Sequence, residues 1–278
     1  MNFVEKLSTA ARTNKSLLCV GLDPEPSRLP TKYAGKPVAQ SVRDFCLSII
    51  EATAPYVSAF KPNSAFFEVL GPDGLRVLQE IIKAVPAYIP VILDAKRGDI
   101  GNTARNYAAT VFETYGADPV TVNPYLGYDS VSPFLEYRDK GVILLCRTSN
   151  PGARDFQDLR VQDEDGQLRP LYEIVAQRIQ SWNTNNNCGM VVGATYSEEL
   201  RSLRALCPTM PILIPGVGAQ GGDLEASVKA GVDAQGEQAI ISVSRSVLYA
   251  STDDEYALAA GREARSLRDR INEVKWRG

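Results

Sequence analysis

The sequence turns abruptly from apolar to charged in the stretch that decides the fold, Val91-Ile92-Leu93-Asp94-Ala95-Lys96-Arg97-Gly98-Asp99-Ile100-Gly101-Asn102-Thr103. Its first three residues are apolar and two are β-branched, which is typical of the end of a buried strand. Side chains alternate between faces in an extended chain, so Asp94 and Lys96 are expected to point the same way, roughly 6.5 Å apart along the backbone. Asp99 follows a turn at Gly98 and is predicted to cap a helix. That helix carries apolar residues at helical spacing: Ala104, Tyr107, Ala108, Val111 and Phe112.

Two interpretations fit these charges. A lone Asp-x-Lys pair is most often a solvated salt bridge in a loop. Here the charges lie between an apolar strand and an amphipathic helix, which is where α/β proteins place their sites. We therefore favour a chemical role for Asp94, Lys96 and Asp99.

The rest of the chain repeats the pattern of a short apolar strand followed by a helix. Strands are predicted at residues 17–22, 57–60, 91–93, 119–123, 141–146, 189–193, 212–214 and 239–243. Helices are predicted at residues 41–53, 74–85, around 104–112, 130–137, 171–182, 198–206, 224–229 and 254–275, the last with Leu258, Leu267, Ile271 and Val274 facing inward. Residues 153–166 are expected to form a long loop and a candidate lid. This alternation predicts an α/β fold, a single (β/α)8 TIM barrel over residues 1–278, with an open doubly wound sheet as the alternative.

Composition narrows the classes of protein. The chain has 278 residues, 44% of them hydrophobic, and a net charge of −3, with no basic stripe. These values argue against a nucleic-acid or membrane-surface partner. Residues 1–13 are polar and amphipathic rather than a signal peptide, and no apolar run approaches membrane-spanning length. The five cysteines are scattered and include no Cys-x-x-Cys pair, which suits buried thiols in a reducing cytoplasm.

The sequence contains no histidine. This absence removes Ser-His-Asp and Cys-His nucleophiles, histidine zinc sites and any imidazole acid or base. Proton transfer must therefore fall to lysine, carboxylate or tyrosine.

Charged residues of alternating sign end the first three predicted strands: Asp23, Lys61, Asp94 and Lys96. Each alone is more often a structural polar residue than a catalyst. In a barrel, however, all strand ends meet at one mouth, so these side chains become neighbours. The lysines would neutralise the aspartates, tune the pKa of each group and hold the array in place.

A glycine-rich run follows the seventh predicted strand and reads Pro215-Gly216-Val217-Gly218-Ala219-Gln220-Gly221-Gly222. Ser244 and Arg245 follow the eighth strand. Glycines let backbone N–H groups approach an anion, and an arginine can clamp it with two hydrogen bonds. A lone glycine run is weak evidence and is often a plain turn. The loops after strands seven and eight are nevertheless the common phosphate site of this fold, so we predict a phosphate site here.

Ser149 lies in the run Thr148-Ser149-Asn150-Pro151-Gly152 after the fifth predicted strand. Its hydroxyl could bond a polar ring or a carbonyl, and a helix cap or turn is a comparable interpretation. Asn123 after the fourth strand is a weaker case of the same kind.

Together these motifs resemble the orotidine 5′-monophosphate decarboxylase family, in its longer bacterial subgroup. The resemblance covers nearly the whole chain and rests on Asp23, Phe60-Lys61-Pro62-Asn63, Asp94-x-Lys96-x-x-Asp99-Ile100, Ser149-Asn150-Pro151-Gly152 and Pro215-Gly216-Val217-Gly218-Ala219-Gln220-Gly221. Asp-x-Lys-x-x-Asp alone is shared across a wider superfamily, whereas the complete set is specific. The resemblance implies a homodimeric barrel that converts orotidine monophosphate to uridine monophosphate and carbon dioxide in pyrimidine biosynthesis, without cofactor or metal.

The resemblance also implies roles for individual residues. Lys96 would donate the proton to ring carbon 6, Asp94 would lie beside the departing carboxylate, and Lys61 would hold Asp94. Asp99, with Thr103 four residues on, would reach into the other subunit's site.

The substrate-binding residues follow from the same resemblance. Asp23 and Thr103 would contact the ribose, Ser149 the pyrimidine, and Gln220 with Arg245 the phosphate. Pro215 and Ser244 are also expected to bind substrate. At one point the chain departs from the family pattern, because Ser244 stands where many members have glycine before the arginine.

Three other functions remain open on the sequence. Sugar-phosphate lyases of the same superfamily resemble this chain at Asp-x-Lys-x-x-Asp, but they use magnesium and an acidic residue on strand two. Lys61 occupies that position here and would repel a metal. An aldolase that forms a Schiff base through Lys96 is a second option. A phosphate-ligand sensor without catalysis is the third, although the charged array is unbroken.

Overall fold

The computed structural model describes residues 1–163, 165–217 and 222–275. Its strands are β1 (Leu18–Leu22), β2 (Ala59–Pro62), β3 (Leu93–Arg97), β4 (Pro119–Val122), β5 (Gly141–Arg147), β6 (Arg160–Gln162), β7 (Leu168–Pro170), β8 (Cys188–Val192), β9 (Ile212–Pro215) and β10 (Ala239–Val243). Its α-helices are α1 (Phe3–Thr13), α2 (Val38–Thr53), α3 (Ala65–Glu68), α4 (Gly71–Ala84), α5 (Gly101–Ala109), α6 (Tyr128–Leu135), α7 (Leu171–Trp182), α8 (Ser197–Leu206), α9 (Leu224–Gly231), α10 (Arg245–Leu248) and α11 (Tyr256–Lys275). None of the helices in these ranges is long and apolar enough to cross a membrane.

The parallel strands of the described residues form one sheet of eight, in the order β2-β1-β10-β9-β8-β5-β4-β3. Its two edges meet, since Phe60 pairs with Val91 and Asn63 pairs with Asp94. Backbone hydrogen bonds cross this seam, from Phe60 N–H to the carbonyl of Pro90 at 3.1 Å and from Ile92 N–H to that of Phe60 at 2.8 Å. The predicted (β/α)8 barrel is therefore confirmed, and the open doubly wound alternative is wrong.

β1, β2, β4, β8 and β10 are buried along their whole length, which is why most barrel strands are largely apolar runs in the sequence. The barrel interior is filled by Cys19, Ala59, Ile92, Ile143, Val191, Leu213 and Ile240. Phe3 and Leu7 of α1 join this cluster, so α1 closes the amino end of the barrel. A Cβ on Gly141 would lie 2.4 Å from the Phe3 ring, so this approach requires glycine. The carboxyl end is left for a site.

Residues 153–166 are not the plain loop that the sequence predicted. A 3-10 turn, Pro151–Asp155, leads to β6, which pairs antiparallel with β7. All three residues of β6 are exposed, so this strand lacks the buried alternating face by which a strand is recognised in a sequence.

Two predictions about helices are wrong. The N-cap of α5 is Ile100, which has no side-chain capping bond, and Asp99 Oδ1 instead accepts the N–H of Ile100 at 2.8 Å. Asp99 is one residue too early to reach the free N–H groups inside the helix. Leu258 is 61% exposed rather than inward-facing. It precedes Leu267 by nine residues, about two and a half helical turns, and so lies on the opposite face of α11.

Candidate active site

Three charged side chains meet at the carboxyl ends of β2 and β3. Lys61 Nζ lies 3.1 Å from Asp94 Oδ2, and Lys96 Nζ lies 2.7 Å from Asp94 Oδ1. Lys61 and Asp94 are buried, whereas the Lys96 side chain is 49% exposed. The carboxylate is thus held between one buried and one accessible ammonium group.

Neighbouring polar side chains complete the environment of Asp94. Thr121 Oγ1, on β4, donates to Asp94 Oδ1 at 2.9 Å. Asn63 Nδ2 donates to Asp94 Oδ2 at 3.5 Å. Thr121 was missed by the sequence analysis, and its signal is a single polar residue inside the apolar run of β4. Each carboxylate oxygen therefore has an ammonium and a neutral donor, which fixes the carboxylate plane.

The charges stabilise one another electrostatically. Burial alone would raise the pKa of Asp94, but the charges of Lys61 and Lys96 outweigh it and hold this pKa well below its usual range. Burial would lower the pKa of Lys61, but the negative charges of Asp23 and Asp94 outweigh it and raise this pKa above its ordinary value. Asp94 and Lys61 therefore remain ionised across the physiological pH range.

Lys96 does not follow the regular alternation of side chains that was predicted for this stretch. Its φ is +45°, and the pairing of β3 with β4 shifts register between Leu93 and Arg97. The Lys96 N–H donates to Thr121 Oγ1 at 2.9 Å instead of to a strand carbonyl. A bulge held by a side chain, together with the ion pair to Asp94, therefore directs Lys96.

A cavity of about 1170 Å³ lies at the carboxyl mouth above these charges. It is lined by predicted site residues from the ends of several strands: Asp23, Lys61, Asp94, Lys96, Ser149, Pro215, Ser244 and Arg245. Of the other predicted site residues, Asp99 is half-buried and Thr103 is exposed, and neither lines this cavity. Gln220 lies outside the described residues.

Arg147 and Gln157 organise the loop after β5, and neither was predicted from the sequence. The buried Arg147 guanidinium lies 3.7 Å from the centroid of the Tyr196 ring and 3.0 Å from Asp158 Oδ1. It donates to Gln157 Oε1 at 3.2 Å, and the same oxygen accepts the N–H of Thr148 at 2.9 Å. For Arg147 a signal was available, because it is a charged residue at the end of a buried strand. The same criterion identified the charged residues at the ends of β1 to β3.

Gly193 lets the Ser149 loop approach the barrel. Its N–H donates to the carbonyl of Arg147 at 2.8 Å. A Cβ at this position would lie 2.8 Å from the Cβ of Ser149 and 2.9 Å from its backbone nitrogen. Glycine here therefore fixes how deeply Ser149 reaches into the cavity.

No group of three or more acidic or cysteine side chains that could hold a metal ion occurs within residues 1–163, 165–217 and 222–275. Asp94, the buried carboxylate of the cavity, already has an ammonium group on each oxygen. The chemistry that this arrangement supports is electrostatic stabilisation of an anion and proton donation from a lysine.

A parallel barrel with a charged concave site at the carboxyl ends of its strands is the architecture of an α/β-barrel enzyme. Residues 16–260 match the family described as orotidine 5′-phosphate decarboxylase / HUMPS. The chain therefore belongs to this family, as the motifs indicated.

Relatives extend over the whole chain. An orotidine 5′-phosphate decarboxylase of Dehalococcoides mccartyi is 50% identical over 277 residues, covering 100% of both chains. One from Leptothrix cholodnii is 52% identical over 279 residues, covering 98% of this chain and 97% of the relative. The solved structure of Leishmania donovani OMP decarboxylase matches with a TM-score of 0.86 and 44% identity, over 99% of this chain and 100% of the other.

The two hydrogen bonds of Thr121 give a prediction for stability. Thr121→Val keeps the shape but leaves the Lys96 N–H without its acceptor, so we expect the free energy of unfolding in urea to fall by about 1–3 kcal/mol. Thr121→Ser retains the hydroxyl and should lose well under half of that. The exposed Thr114→Val is the matched control and should change stability by no more than about 0.5 kcal/mol. Equal stability of Thr121→Val and the control would contradict the role given to the hydroxyl.

Proposed function

We propose that this protein converts orotidine 5′-monophosphate to uridine 5′-monophosphate and carbon dioxide by electrostatic stabilisation of a carbanion that Lys96 protonates. Membership of the family, with full-length decarboxylase relatives at about half identity, makes the chain a carboxy-lyase of pyrimidine synthesis. The observation that carries the proposed mechanism is the Asp94 carboxylate, held between the Lys61 and Lys96 ammonium groups at the floor of the cavity.

The difficulty of the reaction explains why such an array is needed. Loss of carbon dioxide from the orotate ring leaves a carbanion with no carbonyl placed to delocalise it. The enzyme must therefore supply something near the upper part of the usual ~8–23 kcal/mol of barrier reduction. A cation fixed beforehand at ring carbon 6 stabilises the developing charge without reorganising during the reaction. Lys96 suits this role because it is accessible from the cavity and fixed by Asp94 at 2.7 Å.

Asp94 and Lys61 support Lys96 in this mechanism. Asp94 would lie beside the departing carboxylate, and Lys61 would keep Asp94 ionised in a buried setting where burial opposes its charge. As bond cleavage replaces the substrate's carboxylate by a carbanion at carbon 6, the Lys96 ammonium can give that carbon a proton.

The remaining cavity residues fit the other parts of a nucleotide. Arg245 and Pro215 line the cavity at the ends of β10 and β9. The phosphate is proposed to bind there, with Gln220 as a further contact. Ser149, from the opposite loop, would bond the pyrimidine. Phosphate binding away from the reacting bond would supply energy to order the loops over the substrate.

The mechanism proposed here uses no metal or cofactor. A divalent cation bound to Asp94 Oδ2 would be repelled by the Lys61 ammonium group and would have to displace it. The magnesium-dependent sugar-phosphate lyases are therefore a poor fit to this site.

We also infer a cytoplasmic location. All of the cysteines, Cys19, Cys46, Cys146, Cys188 and Cys207, are buried and unpaired. Free thiols without disulfides fit a reducing compartment.

A second copy of the chain is proposed to complete the site. Asp99 and Thr103 lie on the loop after β3 and the start of α5, outside the cavity of their own subunit. Large apolar side chains are exposed on the segments that follow β3 and β4, namely Ile100, Tyr125, Leu126 and Tyr128, the last at the start of α6. Exposed large apolar side chains near the mouth of the barrel favour an interface between subunits. In the proposed homodimer, Asp99 and Thr103 reach the partner's cavity.

Lys96→Ala tests the proposed proton donor. We expect kcat for orotidine monophosphate, followed by the loss of orotate absorbance without added metal, to fall at least about a thousandfold. The Kd for uridine monophosphate should change by less than about tenfold, because the phosphate and base contacts remain. Lys83→Ala, at an exposed position of α4, is the control.

Two outcomes would contradict this part of the proposal. Normal turnover by Lys96→Ala would remove Lys96 from the role. Loss of wild-type turnover in a chelator, restored by magnesium, would favour a sugar-phosphate lyase mechanism.

Mixing two inactive variants tests the shared site. Lys96→Ala and Asp99→Ala should each be inactive alone. After co-refolding, mixed dimers contain one site with both native residues, so about a quarter of the wild-type activity should return. No recovery, in a mixture shown to contain mixed dimers, would place Asp99 in its own subunit's site. Full activity of Asp99→Ala alone would place Asp99 outside catalysis.

A further inference from the structure

Ser244 and Asp23 are joined across two neighbouring barrel strands. β1 and β10 are paired with Val20 opposite Val243, which brings the residues that follow them together. Ser244 Oγ donates to Asp23 Oδ2 at 2.7 Å. Both side chains line the cavity, and Arg245 follows Ser244 directly.

The hydroxyl of Ser244 bonds to Asp23 rather than to its own helix. Ser244 is the N-cap of α10, a position where serine ordinarily accepts a backbone N–H through its side chain. No such capping bond is made by this serine. The Ser244 hydroxyl therefore bonds to Asp23 on the neighbouring strand segment, and a role as a helix cap does not explain this contact.

Gly21 makes room for this contact. A Cβ on Gly21 would lie 1.9 Å from Ser244 Oγ, 2.9 Å from Ser244 Cβ and 3.1 Å from Asp23 Oδ2. Because any side chain at this position would displace the hydroxyl, Gly21, Ser244 and Asp23 form one steric unit.

The second oxygen of Asp23 is unused within the described part of the chain. Oδ1 is buried and has no hydrogen-bond partner there. A buried carboxylate oxygen without a donor is costly, and because Asp23 lines the cavity, a ligand bound there can supply the missing donor. Since Ser244 already bonds Oδ2, the carboxylate cannot turn freely, and Oδ1 is presented in one orientation.

We propose that Ser244 is a positioning residue, which holds Asp23 so that Oδ1 accepts a hydroxyl group from the sugar of the bound nucleotide. This inference rests on the proposed function, which supplies the nucleotide. The side chain of Ser244 thus acts through Asp23 and does not itself contact the substrate. Arg245, the proposed phosphate-binding residue, directly follows Ser244 in the chain. The positions of Arg245 and of Asp23, the proposed acceptor for the sugar hydroxyl, are therefore coupled through Ser244.

The test compares two ligands that differ only in the sugar hydroxyls, uridine monophosphate and its 2′,3′-dideoxy analogue. Ser244→Ala should raise the Kd of uridine monophosphate about tenfold and change the Kd of the dideoxy analogue by less than about twofold. The preference for uridine monophosphate over the dideoxy analogue, given by the ratio of the two Kd values, should therefore fall about tenfold. In an Asp23→Ala background, Ser244→Ala should have no further effect on either ligand. Ser246→Ala, an exposed serine of the same short helix, is the control.

A steric variant gives an independent readout. Gly21→Ala should lower the melting temperature and also the preference for uridine monophosphate over the dideoxy analogue, because its methyl group displaces the Ser244 hydroxyl. Adding Ser244→Gly to Gly21→Ala removes the clashing hydroxyl and should restore the melting temperature but not the preference.

The outcomes separate this inference from the proposed function. If Ser244→Ala weakens both ligands equally, or neither, the positioning role is overturned, whether or not the wild-type protein decarboxylates orotidine monophosphate. If the wild-type protein does not decarboxylate but the preference narrows as expected, the proposed function fails and Ser244 still positions Asp23. A wild-type protein that neither decarboxylates orotidine monophosphate nor binds uridine monophosphate more tightly than the dideoxy analogue would overturn both.

Discussion

The ion pairs of Asp94 with Lys61 and Lys96 are the interaction on which the rest of this site depends. Lys61 belongs to β2 and Asp94 to β3, so their contact at 3.1 Å spans the seam where the two edges of the sheet meet. The backbone crosses the same seam through isolated bridges, including that between Asn63 and Asp94. Closure of the barrel therefore brings these charges together, and neither buried charge would be tolerated without the other.

The site combines a rigid floor with a strained element. Lys96 sits at a positive φ, which costs free energy for a residue with a side chain, and Thr121 and Asp94 hold it there. This arrangement keeps the ammonium group in place before substrate arrives, so little reorganisation is left for the reaction itself. The opposite wall is built differently, since Arg147 and Gln157 tie a surface segment to the end of β5. A fixed floor and a tethered wall suit a substrate that is gripped at the phosphate and transformed at the base.

The sequence was informative where one physical pattern dominates. Continuous apolar runs predict buried parallel strands, and charged residues at their ends predict the mouth of the barrel. It was uninformative where a contact joins distant residues. The bulge at Lys96, the hydroxyl of Thr121 and the bond from Ser244 to Asp23 depend on which strands are neighbours, and no local pattern encodes this. The pair of strands β6 and β7 is too short and too exposed to leave a periodic signal. The single-domain organisation, the shared dimer site and the roles of individual residues stay predictions.

The most direct test of the central claim is the pKa of Asp94, measured by NMR from its side-chain carboxyl carbon as the pH is lowered. If two ammonium groups hold this carboxylate, its resonance should keep the ionised shift through the range near pH 4 where an ordinary aspartate titrates, and Lys61→Met should raise its pKa. Titration of Asp94 near pH 4 in the folded wild-type protein, unaffected by Lys61→Met, would contradict the account.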